Sequence, residues 1–298
     1  MIGGGTMVPG MMVNLAKPKA MELARRLLDW GEELGVQIRL PQREAHALGC
    51  QGDDLQTWCR TVDAAIVIGG DGTFLRAARR ILDQGKDIPL FGINVGHLGF
   101  LATGTVEGAQ SELTQILEGR YTVQKRHTLE CRYIRGEEQK QYYALNDFVL
   151  YKGTQAKLIS VAVEVHGRPM CVFRADGLIV ATPTGSTAYA LSAGGPIVPP
   201  HVPCMVLAPI CAHTLYSRPI ILAPHDQLSM RPRCEAQTFF SVDGQDGIGV
   251  SEGDSLQVSL SERRWVSVIT LPQQGYFELL HRKLMWGFDP VGEMSDDA

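Results

Sequence analysis

The chain has 298 residues, enough for one large domain or two ordinary ones. The formal net charge is −4, so no global field attracts nucleic acid or a membrane, and we expect neither as a partner. Seven scattered cysteines without a CxxC pair argue against a disulfide framework and favour a reducing, cytoplasmic location. No apolar run approaches the ~20 residues of a membrane helix, and we expect no signal peptide.

The first part of the chain alternates between helical and strand patterns. Its apolar residues recur at helical spacing over 20–34, 74–82 and 113–117, and short strands are predicted at 36–40, 64–68 and 89–94. The strand at 64–68 is continuously apolar, which is typical of a strand buried on both faces of a parallel sheet. This order predicts an α/β domain, built on a parallel sheet, over residues 1–122.

After Tyr121 the pattern changes to short strands separated by turn signals. Clean alternation over 161–165 and 256–260 predicts a β-rich second domain over residues 123–271. Within it, only Gly185 to Gly195 suggests a helical turn. A final amphipathic helix from Tyr276 to Trp286 lies in a third segment, 272–298, which we expect to return to the first domain.

The strongest local signal is the glycine-rich loop Gly69-Gly70-Asp71-Gly72-Thr73, which lies between a predicted strand and a predicted helix. Glycines bring backbone N–H groups close to an anion, and the helix N-terminus adds its positive dipole end, so a phosphate is the natural ligand. The loop lacks the Lys-Ser/Thr pair of a Walker A motif. A carboxylate beside a phosphate site predicts that Asp71 orients a hydroxyl nucleophile or holds Mg²⁺. The alternative is an ordinary turn whose aspartate caps the helix.

A second stretch, 174–196, is dense in glycine and small hydroxyl residues and contains one aromatic residue, Tyr189. Small residues let a flat ligand approach the backbone, and Tyr189 offers a face to a nucleobase or ribose. Ser186 does not lie in a GxSxG motif, which argues against a serine hydrolase. The alternative is a tightly packed turn. The loop that begins at Asp243 has its acidic residues at the wrong positions for an EF-hand, and a hairpin turn is the alternative there.

Taken together, these segments resemble NAD kinases of the bacterial type over almost the whole chain. The matching segments, in order, are Asn14 to Pro18, the loop 69–73, Asn94 with 96–101, Asn146-Asp147, 176–196, 209–211 with His213 and Arg218-Pro219, and Asp243-Gly244-Gln245. The GGDGT loop alone is shared with diacylglycerol and sphingosine kinases. The long Thr-Pro-Thr-Gly-Ser-Thr-Ala-Tyr segment is far more specific.

The resemblance implies transfer of a phosphoryl group to the 2′-hydroxyl of the adenosine ribose of NAD, giving NADP. It implies ATP or polyphosphate as phosphate donor, with 1–122 as the phosphate-donor domain and 123–271 as the NAD-binding domain. It also implies a divalent cation such as Mg²⁺ and a homo-oligomer, either a dimer or a tetramer. Asp71 is the implied catalytic residue, and no protein metal ligand is assigned. The implied phosphate loop is Gly69, Gly70, Gly72 and Thr73, and the implied NAD contacts are Asp71, Gly72, Arg76, Asn146, Asp147, Lys157, Arg174, Asp176, Thr187, Ala188, Tyr189, Ser192 and Gln245.

Two other functions remain open from the sequence. A lipid or sphingoid-base kinase shares the glycine loop, but it calls for an apolar acceptor tunnel or a membrane-facing helix that the sequence does not plainly contain. A non-catalytic dinucleotide sensor would keep the pocket, but pure binding gains nothing from a carboxylate at a phosphate loop. One departure from the family pattern concerns Asp147, where the family often has the longer Glu.

Overall fold

The computed structural model of the protein describes residues 7–96, 98–154, 157–214, 216–233, 237–273 and 275–284. The helices are α1 (Pro18–Glu33), α2 (Gln42–Leu48), α3 (Leu55–Thr61), α4 (Asp71–Asp83), α5 (Ala109–Leu117), α6 (Tyr189–Ser192) and α7 (Tyr276–Leu284), with a 3₁₀ turn at Thr184–Thr187. The strands are β1 (Pro9–Val13), β2 (Ala64–Gly69), β3 (Leu90–Asn94), β4 (Gly104–Thr105), β5 (Thr122–Arg135), β6 (Glu138–Ala144), β7 (Asp147–Lys152), β8 (Ile159–Val165), β9 (Arg168–Ala175), β10 (Gly177–Ala181), β11 (Met205–Ile210), β12 (Ile220–Leu222), β13 (Leu228–Pro232), β14 (Thr238–Val242), β15 (Ile248–Val250) and β16 (Ser255–Thr270).

The first of two compact units comprises the described residues within 1–77, 88–124 and 268–298. At its centre β1, β2 and β3 form a parallel sheet, with β2 in the middle. Every residue of these three strands is buried, as the apolar run at 64–68 predicted. The short β4 continues this sheet beside β3, and Val268 near the end of β16 pairs in parallel with Leu90.

Helices α1 and α7 belong to this unit and follow the predicted periodicity. Helix α1 has a proline in its first turn, buries one apolar face, and is followed by Gly35 at φ +68°. Helix α7 buries Leu279 and Leu280, and the Lys283 ammonium lies 5.5 Å from the centre of the Phe100 ring. The last two residues of the predicted helix, 285 and 286, lie outside the described residues.

The prediction of a strand at 36–40 is wrong. Only Arg39 pairs with β1, as an isolated bridge in which Met11 N donates to Arg39 O and Arg39 N donates to Pro9 O. The next residue, Leu40, already accepts from Asp53 N, so the backbone leaves the β1 edge after a single pair. Helices α2 and α3, of seven residues each, were not predicted because two turns are too short for a clear apolar period.

The second unit comprises the described residues within 78–87 and 125–267, and it is mostly antiparallel β-structure. One of its sheets has the order β12-β11-β10-β7-β14-β15, and the other has β16-β13-β8-β9 with the β5–β6 hairpin joined to β16. A single apolar cluster draws buried residues from both sheets. Phe240 lies in this cluster, with its ring centre 5.4 Å from that of Phe148 and 5.6 Å from that of Tyr142.

The predicted fold class is therefore confirmed: an α/β part with a parallel sheet, a β-rich part, and a final helix in the first unit. The predicted ranges 1–122, 123–271 and 272–298 stay a prediction. None of the helices in the described part of the chain is both long and apolar enough to cross a membrane.

Replacing Phe240 tests the apolar cluster of the second unit. We expect Phe240→Ala to lower the free energy of unfolding by about 3–5 kcal/mol, because it deletes a fully buried ring. The neighbouring Phe239 is half-buried and stacks on Tyr151, which makes Phe239→Ala the matched control with a clearly smaller loss. Denaturant titrations of both variants measure this difference, and equal losses would contradict the assigned core.

Candidate active site

The glycine loop joins the end of β2 to the start of α4 in the first unit. A Cβ on Gly69 would lie 2.3 Å from Thr73 Oγ1, so only glycine lets α4 begin this close to the strand. Gly72 is exposed and a Cβ there would meet nothing within 4 Å, which leaves its backbone open to a ligand. The helix begins at Asp71, so its first N–H groups and its positive dipole end lie at this loop.

Asp71 is half-buried, and its carboxylate accepts three backbone hydrogen bonds from one segment of the same unit. Phe100 N donates to Oδ2 at 2.7 Å, while Leu101 N and Ala102 N donate to Oδ1 at 3.1 and 3.0 Å. A Cβ on Gly99 would lie 1.9 Å from Oδ1, so glycine is required there for this approach. A carboxylate offers about four acceptor positions. One position therefore remains for a ligand hydroxyl.

Thr73, the last residue of the glycine loop, is buried. Its Oγ1 lies 3.0 Å from Asn14 Nδ2 and 3.3 Å from an Arg76 guanidinium nitrogen, and both nitrogens donate to it. Arg76 is exposed, so the rest of its guanidinium is open to solvent. This places a cation one turn into α4, near the loop but not across it.

In the second unit a second aspartate carboxylate accepts three successive backbone amides. Asp243 takes hydrogen bonds from Leu145 N, Asn146 N and Asp147 N at 3.0, 2.7 and 3.1 Å. In return Asp243 N donates to Asp147 O at 3.0 Å, and Asp243 adopts a left-handed φ of +49°. The predicted Asn146-Asp147 contact pair is thus held by its backbone, with both side chains left for other partners.

Asp147 and Asp243 form a buried pair of carboxyl groups. Burial raises the pKa of Asp147 to about 7, and the nearby charge of Asp243 adds to this increase. Burial also raises the pKa of Asp243, against the opposing effect of its three N–H donors. Because those donors favour the anion, Asp243 carries the negative charge of the pair, and Asp147 is the group that takes up a proton near neutral pH.

The 182–186 segment packs directly on the Asn146 backbone. Thr182 N donates to Asn146 O at 2.8 Å, and a Cβ on Gly185 would lie 2.1 Å from that same oxygen. Ser186 Oγ is buried, donates to Pro183 O at 2.7 Å and accepts from Val198 N at 2.9 Å, so this hydroxyl has a structural role. Asn146 Oδ1 and Thr184 Oγ1 are buried without a hydrogen-bond partner, which leaves acceptors available to a ligand.

Tyr189, at the start of α6, presents an exposed ring; 46% of its surface is accessible. Partial burial raises the pKa of its hydroxyl, and the nearby Cys211, Asp147 and Asp176 add to the increase. Asp176 in turn pairs with Lys152, with 2.6 Å between Oδ1 and Nζ. An aromatic face, two carboxyl groups and the buried, unpartnered acceptor of Asn146 are therefore grouped in one region of the second unit.

The remaining predicted contacts are less closely grouped. Arg174, on β9, and Lys157, just before β8, have exposed side chains, as does Ser192 at the end of α6. Thr187 and Ala188 are half-buried beside Tyr189. Gln245 follows the Asp243 turn, and its side-chain oxygen accepts from the Arg79 guanidinium in the same unit.

Three residues that contact these loops were not among the predicted contacts: Asn14, which donates to Thr73, Lys17, whose ammonium lies beside the backbone of Gly70 and Gly96, and Asp243. Asn14 and Lys17 lie between β1 and α1, where their segment matched the family pattern without any assigned chemistry. Asp243 was interpreted as part of a hairpin turn. Its left-handed φ and its acidic side chain are the local signals of a special turn, but its partners lie about a hundred residues away in the chain.

Comparison with known proteins decides the family. The model of the ATP-NAD kinase N-terminal domain matches residues 10–121, and that of the C-terminal domain matches residues 145–271. The chain belongs to the ATP-NAD kinase family. It is a phosphotransferase, and the lipid kinase and sensor alternatives are not favoured.

Individual relatives of this NAD kinase family member cover nearly the whole chain. The NAD kinase of Heliobacterium modesticaldum is 39% identical over 93% of this chain and 98% of its own, and that of Moorella thermoacetica is 36% identical over 97% and 91%. The NAD kinase from Archaeoglobus fulgidus in complex with ATP has a TM-score of 0.71 and 26% identity, covering 93% and 98% of the two chains. Yeast NADH kinase complexed with NADH shares the fold, with a TM-score of 0.88 at 23% identity over 96% and 89%.

The raised pKa of Asp147 makes the stability of this NAD kinase family member depend on pH. Between the unfolded pKa of 3.8 and the folded value of about 7, the folded state holds a proton that the unfolded chain has lost, so stability falls as pH rises. Asp147→Asn removes this dependence. We therefore expect the melting temperature of the variant, minus that of the wild type, to increase between pH 5 and pH 8.

Thermal melts of both proteins across this range measure the difference. Glu112 has a pKa that burial also raises to about 7, but it titrates in both proteins and cancels in the subtraction. A difference that stays flat with pH would contradict the assigned protonation of Asp147.

Proposed function

We propose that the chain phosphorylates the 2′-hydroxyl of the adenosine ribose of NAD, with ATP as donor, to give NADP and ADP. Membership of the ATP-NAD kinase family and the relatives named NAD kinase support this substrate pair. The Archaeoglobus fulgidus protein, solved in complex with ATP, supports ATP as the donor. The observation that carries the proposal is the half-buried Asp71 carboxylate, held at the glycine loop by three amides with one acceptor position to spare.

In this reaction a bond forms between the ribose O2′ and the γ-phosphorus while the bond from that phosphorus to the β,γ-bridging oxygen breaks. A ribose hydroxyl is far less acidic than a carboxylic acid, so Asp71 does not remove the proton before attack. In a loose transition state the proton leaves late. Asp71 accepts a hydrogen bond from the hydroxyl, aligns it with the phosphorus, and receives the proton as the new bond forms.

A divalent cation, with Mg²⁺ as first choice, belongs to the proposal. Among the residues that the structure describes, no three His, Cys, Asp or Glu side chains form a metal-binding group. These residues fit an ion that is bound mainly by the phosphates of ATP. Mg²⁺ keeps several of its waters when it binds, and it needs only one or two carboxylates from a protein. The ion would neutralise charge on the transferred group, and no protein ligand is assigned to it, because the one free acceptor position of Asp71 faces the ribose hydroxyl.

For NAD binding we propose that Asn146 and Asp147 contact the adenosine portion and that Thr187, Ala188 and Tyr189 frame the adenine. The unpartnered Asn146 Oδ1 and the exposed Tyr189 ring support these roles. The remaining proposed contacts are Gly72, Arg76, Lys157, Arg174, Asp176, Ser192 and Gln245. A homo-oligomer, dimer or tetramer, is also part of the proposal. So is a cytoplasmic location, which the free thiols of the six described cysteines support.

Asp71→Asn tests the central residue. We expect turnover of NAD to fall about 10²-fold or more, the usual scale of general acid–base catalysis. The amide nitrogen of the variant would face the Phe100 N–H, so we also expect a stability loss of about 1–3 kcal/mol from an unmade hydrogen bond. Coupled assays of NADP formation and thermal melts measure the two effects.

Gly92→Ala is the matched structural control for Asp71→Asn. Its new Cβ would lie 2.6 Å from Ala102 Cα, so it disturbs the segment that holds Asp71 without altering the carboxylate. We expect the control to lose stability while its turnover stays within about tenfold of the wild type, well short of the loss expected on removing a catalytic acid–base group. A folded Asp71→Asn variant with turnover near that of the wild type would remove Asp71 from the mechanism.

Tyr189→Ala tests the adenine contact. We expect NAD binding to weaken by about 1–3 kcal/mol, the scale of base stacking on an aromatic side chain, with little change in stability because the ring is exposed. Tyr189→Phe keeps the ring and is expected to bind as the wild type does. Isothermal calorimetry measures both affinities, and an unchanged affinity in Tyr189→Ala would reject the stacking role.

A further inference from the structure

The Arg79 side chain lies beside the turn that follows β14, and it has no role in the proposed function so far. Arg79 is on α4, in the part of this helix that belongs to the second unit, and 28% of its side chain is accessible. Its guanidinium donates a hydrogen bond to Gln245 Oε1. Gln245 is exposed and is one of the proposed NAD contacts. An arginine of α4 therefore holds a side chain that we assign to the dinucleotide.

The turn that carries Gln245 has a left-handed backbone. Its central residues, Asp243 and Gly244, have φ angles of +49° and +68°, and Gln245 N donates to Val242 O at 3.1 Å to close the turn. Positive φ at both central positions is the pattern of a type I′ turn. Glycine adopts this conformation freely, whereas an aspartate adopts it at a cost in free energy. Contacts from outside the turn, including that of Arg79, offset this cost.

Arg79 also faces the Asp243 carboxylate. Burial raises the pKa of Asp243, whereas its three amide donors and the positive charge of Arg79 oppose this rise. Asp147 is the other carboxyl group beside Asp243, and Tyr142 is a further ionisable group near Arg79. An ionised carboxylate accepts stronger hydrogen bonds than a neutral one. Arg79 therefore favours the anionic form of Asp243, which is the form that holds residues 145–147.

The hydrogen bond from Arg79 fixes the orientation of the Gln245 amide. A guanidinium has donors only, so it selects the amide oxygen as its partner. The amide NH₂ group, with two donors, is left for a ligand. The phosphates, riboses and adenine of a dinucleotide offer oxygen and ring-nitrogen acceptors to such a group. Without Arg79 the amide is free to rotate, and binding has to order it at a cost in entropy.

We propose that Arg79 is a positioning residue for the dinucleotide, which orients the Gln245 amide toward NAD and holds the 242–245 turn through Asp243. It acts through these residues and does not itself contact NAD. The inference rests on the proposed function and deepens it, because it adds a residue on which the NAD contacts depend. A purely structural role would instead rest on the ion pair within α4, in which Arg79 Nε lies 4.0 Å from Asp83 Oδ2.

Arg79→Met removes the charge and the hydrogen bond but keeps a long side chain. We expect the Kd for NAD to rise about tenfold, the lower end of the scale for a hydrogen bond to a charged group, with kcat and the KM for ATP close to those of the wild type. That rise corresponds to about 1.4 kcal/mol. Arg79→Lys keeps a charge and donors and should recover most of the NAD affinity.

Asp83→Asn is the matched control, because it removes the ion pair within α4 and leaves Arg79 in place. We expect its NAD affinity to equal that of the wild type. An NAD affinity lost equally in Asp83→Asn and Arg79→Met overturns the inference, and so does a fall in kcat or a rise in the KM for ATP as large as the loss of NAD affinity. If Arg79→Met does not fold, Arg79→Gln removes the charge in a more polar form.

A double-variant cycle with Gln245→Leu tests whether Arg79 acts through the amide. Gln245→Leu alone is expected to weaken NAD binding. In that background Arg79→Met should cost less affinity than it does in the wild type, because there is no amide left to orient. Full additivity, or an unchanged affinity in Gln245→Leu alone, overturns the inference.

The pH dependence of NAD binding tests the action of Arg79 on Asp243. Loss of the Arg79 charge raises the pKa of the pair formed by Asp243 and Asp147, so the anion that holds residues 145–147 is lost at a higher pH. We expect the Kd of Arg79→Met, relative to that of the wild type, to increase as the pH falls from about 8 to about 6. Arg79→Lys should show a constant ratio. A constant ratio in Arg79→Met overturns the part of the inference that concerns Asp243.

Calorimetry with NAD, run beside the assay of NADP formation, separates this inference from the proposed function. A wild-type protein that forms no NADP from NAD and ATP refutes the proposed function. If NADP forms and Arg79→Met binds NAD as the wild type does, only the present inference fails.

Discussion

The interaction on which the candidate residues of each unit depend is one carboxylate that accepts hydrogen bonds from three consecutive backbone amides. Asp71 holds residues 100–102 in this way in the first unit, and Asp243 holds residues 145–147 in the second. Neither triplet forms those bonds to a neighbouring strand or helix. A charged acceptor gives stronger hydrogen bonds than a neutral one, so a single side chain can fix three consecutive residues whose N–H groups bond to it. Each of these two segments is therefore fixed by a side chain as well as by the secondary structure around it.

This arrangement requires glycine at the points of closest approach. Gly99 lets the Asp71 carboxylate reach its donors, and Gly185 lets the 182–186 segment lie against the Asn146 carbonyl. At both positions the room that a Cβ would take is already occupied by an oxygen, so the constraint is steric rather than conformational. The small-residue composition of both stretches follows from this close packing as well as from any ligand.

The charged groups at the candidate residues differ between the two units. In the second unit, burial and the neighbouring Asp243 carboxylate raise the pKa of Asp147 to about 7, so Asp147 takes up a proton near neutral pH. In the first unit, the exposed ammonium of Lys17 and the N-terminus of α4 create positive potential around the glycine loop. Such fixed charges and dipoles suit phosphoryl transfer, in which positioning and electrostatic stabilisation supply most of the acceleration.

The sequence by itself was enough to predict most of the helices and strands discussed above and to recognise the family. The all-buried run of β2 and the amphipathic face of α1 were predictable because periodicity and end signals lie within the element itself. The motifs, taken in order, identified the glycine loop, Asn146-Asp147 and the Tyr189 segment. The prediction of a strand at 36–40 failed because strand pairing depends on the path of β1. Alternation of apolar and polar residues does not reveal that path.

Only the tertiary structure decided which backbone each carboxylate holds and which glycines the Lys17 ammonium approaches. Asp71 reaches amides 29 to 31 residues away, and Asp243 reaches amides 96 to 98 residues away. Lys17 meets Gly70 and Gly96 only because β1, β2 and β3 end at the same edge of one sheet. Hydrogen bonds and charge contacts act over a few ångströms of space, whatever the separation along the chain. Sequence spacing therefore carries no record of them until the sheet has brought the loops together.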